Sequence, residues 1–96
     1  MIQILTHNSG IYAIIQGRVQ GVYFRASTKK IADSFGINGW VRNLADGTVE
    51  VMAFGDLENI KKFSSWIKQG PEKAEVSAID ICKINYDQSY KGFEIL

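Results

Sequence analysis

Between Ile11 and Gln16 the chain is apolar and β-branched, the composition of a strand. The pattern then changes period. Phe24, Thr28, Ile31 and Phe35 recur at four- and three-residue steps, which is helical spacing, and Gly36 stands where such a helix ends. Ile37 to Leu44 predicts a second strand, Asp46-Gly47 a tight hairpin turn, and Thr48 to Phe54 the strand paired across it. Asp56 is placed to cap a second helix with Leu57, Ile60, Phe63 and Ile67 along one face, and Gly70-Pro71 stops it. Val76 to Asn85 and Phe93 to Leu96 supply two further strands. Alternation in the longer one is uneven, so which of its side chains face the helices is open.

The order strand, helix, strand, strand, helix, strand is that of a ferredoxin-like βαββαβ plait, an α+β fold. The expected architecture is two helices on one face of a four- to five-stranded antiparallel sheet. One domain would occupy residues 11–96. Residues 1–10, with Thr6, His7, Asn8, Ser9 and Gly10, read as a short flexible N-terminal extension.

Composition narrows the function. Ninety-six residues can bury a core without metal or disulfide help. A formal net charge of +1 gives no general attraction to nucleic acid or to an anionic membrane surface. No stretch approaches the ~20 apolar residues of a membrane span. Cys82 is the sole cysteine, which excludes an internal disulfide and fits a reducing cytoplasm; its place in the last long strand predicts a small core or interface residue. With one His, one Cys and no carboxylates at ligand spacing, neither metal nor cofactor is expected.

Candidate chemistry lies in Gly17-Arg18-Val19-Gln20-Gly21-Val22-Tyr23-Phe24-Arg25, a strand-to-helix turn. Two glycines there let the backbone approach a ligand and gather its N–H groups into one cavity. The helix that follows starts with unpaired N–H groups and a positive dipole end. Arg25 in its first turn is electrostatically misplaced unless an anion sits beside it. The guanidinium offers a planar, permanently charged fork that suits phosphate, and Val22, Tyr23 and Phe24 could wall the seat. Taken alone, the segment fits an ordinary turn with an exposed Arg about as well.

A second segment, Gly39-Trp40-Val41-Arg42-Asn43-Leu44-Ala45-Asp46-Gly47-Thr48-Val49, places Asn43 at a strand end. Its amide carries donors and an acceptor, which suits holding a water in one orientation, though a role in the turn alone fits it better. Trp40 is expected to pack half-buried and Arg42 to be solvated.

Together the two segments resemble the acylphosphatase family. The first matches its Gly-x-Val-Gln-Gly-Val signature followed by one residue, an aromatic and Arg. The second matches its Gly-aromatic-Val-basic-Asn segment, then Gly-x-Val, with Gly55 at the later glycine. The resemblance covers roughly residues 11–96. Residues 1–10 fall outside it, and the chain ends at Leu96 without the aromatic often found there.

The resemblance implies hydrolysis of the carboxyl–phosphate bond of acyl phosphates to a carboxylate and inorganic phosphate. It implies Arg25 as the phosphate-binding arginine, Asn43 as the residue positioning the attacking water, and Gln20, Gly21, Val22, Tyr23 and Phe24 as the backbone cradle. The expected protein is a cytoplasmic monomer that takes a small-molecule acyl phosphate and binds no nucleic acid or membrane. Two alternatives stand beside it. One is a non-catalytic phosphate-binding module. The other is an RNA-binding plait, disfavoured because Val49 to Phe54 carries Glu50 and lacks a basic-Gly-aromatic run.

Overall fold

A computed structural model describes residues 7–96. Its elements are β1 (Asn8–Arg18), α1 (Phe24–Ser34), β2 (Asn38–Asn43), β3 (Val49–Asp56), α2 (Leu57–Gln69), β4 (Glu75–Ile84) and β5 (Phe93–Ile95). The sheet order is β4-β1-β3-β2-β5, with both helices packed on one face.

Alternation explains the layering. Ile11, Ala13 and Ile15 of β1 pair with Ala53, Val51 and Val49 of β3, and Val41 of β2 pairs with Val51. All are buried on the helix side, where Phe24 of α1 and Ile60, Phe63 and Ile67 of α2 complete the core. Each such Ile or Phe contributes about 1.5–3 kcal/mol when fully buried, so these stripes hold the helices in place. Asp56 caps α2 as expected, accepting from the Glu58 N–H at 2.8 Å.

Three expectations change. The sheet is mixed, because β5 runs parallel to β2 from Gly39↔Phe93 to Val41↔Ile95. Residues 85–92 carry the chain from the β4 edge across the open face to the far edge, and so reverse the direction of the last strand. Along that crossing Tyr90 stacks on Phe54 with ring centroids 5.1 Å apart.

Next, β1 begins three residues before Ile11: Asn8, Ser9 and Gly10 pair with Asp56, Gly55 and Phe54. The His7 carbonyl accepts from the Leu57 N–H at 2.8 Å. Small polar side chains give no apolar signal there, and pairing with the end of β3 supplies what they lack. Residues 1–6 of the expected extension lie outside the described residues.

Finally, of the two places expected for Cys82, core or interface, exposure removes the core. It pairs with Tyr12 and so faces away from the helices, while Ile79 and Ile81 pack against the core. A bulge in the β1–β4 ladder at Gln16/Gly17 causes the uneven alternation of β4. Among the described residues no helix is long and apolar enough to cross a membrane.

Candidate active site

The Gly17 to Arg25 segment divides its labour. Gly17, at φ +125°, lies in the β1–β4 bulge, where a Cβ would collide with the Glu75 carbonyl oxygen. It permits close strand pairing rather than the ligand approach that its place in the sequence suggests. Gly21, at φ +74°, has open space where a Cβ would stand, with no atom within 4 Å, and leaves the loop backbone open to solvent. Tyr23 is the N-cap of α1 and also lies in the left-handed region, at φ 62° and ψ 24°. Successive turns of this kind point neighbouring N–H groups the same way.

Those N–H groups are unspent. Among the described residues no acceptor takes the backbone N–H of any residue from Gln20 to Arg25. Tyr23 gives no side-chain cap, and the first turn of α1 holds no acidic residue. Arg25 is half-buried and takes part in none of the ion pairs among the described residues. A helix N-terminus, an open amide loop and an unneutralised guanidinium therefore concentrate positive potential at one place.

Asn43 reaches the same place from the sheet. It pairs with Val49 at the end of β2 and shares the helix-side face with Val41. Its Oδ1 is buried without a hydrogen-bond partner among the described residues. A buried unpaired acceptor is costly in a fold and calls for a donor from outside the chain. Arg25 and Asn43 line one hollow of about 410 Å³, together with Gly21, Tyr23 and Phe24.

The side chains of Gln20 and Val22 stand apart from that lining. Val22 is turned into the core. The Gln20 side chain turns to the hairpin, donating from Nε2 to the carbonyls of Leu44 and Thr48, each at 2.8 Å. It thereby ties the cradle loop to the turn that follows Asn43. No motif gives this side chain a role at the site, nor Val19, Ala26 and Ile95, which complete the lining. Ile95 gets there only through the parallel β5, which no local pattern announces.

On the opposite face, Glu50 is buried and accepts from the Tyr12 hydroxyl and the Arg42 guanidinium. Burial pushes its carboxyl up, but those two hydrogen bonds outweigh it and the net shift is downward. Bonding to Glu50 holds the Tyr12 hydroxyl above its usual range. Arg42 also lies over the Trp40 ring, 5.2 Å from its centroid. This network fixes β2 against β3 one residue before Asn43.

The profile of the family described as Acylphosphatase matches residues 11–95. The chain belongs to the acylphosphatase family. It is 49% identical over 84 residues to an acylphosphatase of Acaryochloris marina, covering 88% of this chain and 89% of that one. An acylphosphatase of Legionella pneumophila (strain Corby) is 53% identical over 84 residues, covering 85% of this chain and 89% of its own. A solved acylphosphatase from Coxiella burnetii superposes with a TM-score of 0.87 at 35% identity, covering 93% of both chains. The acylphosphatase plait thus underlies the hollow that joins Arg25 to Asn43.

Proposed function

We propose that this chain hydrolyses acyl phosphates to a carboxylate and inorganic phosphate. Arg25 and the amides from Gln20 to Phe24 hold the phosphoryl group, and Asn43 orients the attacking water. The observation that carries the reading is the meeting in one hollow of Arg25 and Asn43 Oδ1, the first without an ion pair and the second without a hydrogen bond among the described residues.

The chemistry asks little of the protein. Asn43 Oδ1 accepts a hydrogen bond from water and sets its oxygen in line with the phosphorus. The new P–O bond forms as the bond to the acyl oxygen breaks, and that electron pair leaves on the carboxylate. The leaving group's conjugate acid has a pKa near ~4, as side-chain carboxyls do, so it departs without a proton donor. The water's proton passes to a phosphoryl oxygen. The remaining barrier is alignment and charge on the equatorial oxygens. Arg25 and the cradle supply the second, Asn43 the first.

One chain contributes both side chains, so a monomer suffices. The exposed thiol of Cys82 fits a reducing, cytoplasmic setting. Benzoyl phosphate hydrolysis in the presence of a chelator tests the reading. Wild type is expected to turn over and Arg25→Ala to lose most binding and rate. Binding of inorganic phosphate without turnover by wild type would instead establish a non-catalytic anion module.

A further inference from the structure

Tyr23 takes a left-handed backbone conformation, yet the residue is 78% exposed. Glycine adopts that conformation without the steric cost a side chain meets. An outward ring in such a turn adds nothing to the core, so neither packing nor backbone preference accounts for a tyrosine here.

Its position offers a reason. The chain leaves four large apolar side chains exposed among the described residues: Tyr23, Tyr86, Ile95 and Leu96. Two of these, Tyr23 and Ile95, border the hollow that holds Arg25 and Asn43. Arg25 is the sole charged residue of that lining among the described residues, so nothing there would neutralise a second anion on the substrate. In-line attack sends the acyl group away from the Asn43-held water, so it must be met by some other part of the lining than Asn43.

We infer that the Tyr23 ring is an acyl-group platform that makes this enzyme prefer flat, uncharged acyl groups, such as aroyl phosphates, over compact ones. The inference rests on the acyl phosphate hydrolysis proposed above. A ring stacked on Tyr23 gains contact that an acetyl group cannot make. The gain belongs to binding of substrate and transition state alike, and so falls in KM more than in kcat.

Tyr23→Gly is the informative variant, because it keeps the amide and suits the left-handed backbone while removing the side chain. The measurement is kcat/KM for benzoyl phosphate divided by that for acetyl phosphate. Tyr23→Gly is expected to lower this ratio by about 5- to 10-fold, the scale of an aromatic pair, mainly through KM for benzoyl phosphate. Tyr23→Phe should keep the wild-type ratio. An equal ratio in wild type and Tyr23→Gly overturns the platform alone. Hydrolysis of neither compound by wild type overturns the proposed function itself.

Discussion

Gln20 and Leu44 lie 24 residues apart in sequence, and the Gln20 amide bridges them by donating to the Leu44 carbonyl at 2.8 Å. The same nitrogen donates to Thr48, so one side chain spans the hairpin that carries Asn43. The two halves of the hollow come from different elements, a helix start and a strand end. Gln20 sets the distance between them.

Removing that strut should therefore be felt in rate as well as in stability. Gln20→Ala is expected to cost about 1–2 kcal/mol of folding stability, since two carbonyls lose a partly buried donor. It should also lower kcat about 10-fold, because small misplacements of a reacting group are costly. Gln20→Glu should be worse than Gln20→Ala, because a carboxylate would face two carbonyl oxygens. Chemical denaturation and steady-state kinetics on the three proteins check the order.

Asn43 is assigned a role that exists only during attack. Asn43→Ala is expected to lower kcat by about 10²-fold, or roughly 3 kcal/mol, the scale of losing one preorganised polar contact. KM for benzoyl phosphate should change far less. A raised KM with kcat spared would assign Asn43 to binding instead.

Much of this arrangement is legible in the residues. The glycines, Arg25 and Asn43 are local signals, and element order follows from the change between helical and strand-like spacing. What cannot be read there depends on contacts across the sheet. The parallel pairing of β5 brings Ile95 to the hollow through a crossing of the open face. The bulge at Gly17 is set by its approach to Glu75, a residue far along the chain. The early start of β1 depends on Asn8 to Gly10 finding β3. Tyr23 is the subtler case: nothing in its residue type announces a left-handed conformation.

Among the described residues no His, Asp or Glu side chain lines the hollow, and an arginine keeps its charge throughout the working range. The kcat for benzoyl phosphate should accordingly vary little from mildly acidic to neutral pH. A bell-shaped profile centred near ~6.5, where His titrates, would show that a protein base takes the water's proton.

Stability has a separate pH window, set on the far face of the sheet. Glu50 holds its proton less tightly in the folded chain than its ordinary value of 4.5. Its contribution is thus complete above that value and is lost as pH falls through the lower, native one. Tyr12 is raised above 10.0, so its contribution is complete below that value and is lost as pH climbs through the native one. Thermal unfolding followed from pH 7 to pH 3 should show a loss that Glu50→Gln flattens. Tyr12→Phe should cost about 1.5–3 kcal/mol at neutral pH, as for a hydrogen bond to a charged group.

If the amides from Gln20 to Phe24 and the Arg25 guanidinium seat one phosphoryl group, inorganic phosphate alone should find them. Titration of ¹⁵N-labelled protein with inorganic phosphate, read amide by amide, tests it most directly. Saturable shifts are expected at Gln20 to Arg25, strongly weakened in Arg25→Ala. Shifts centred elsewhere, or shifts at the cradle that Arg25→Ala leaves unchanged, would place phosphate outside this seat.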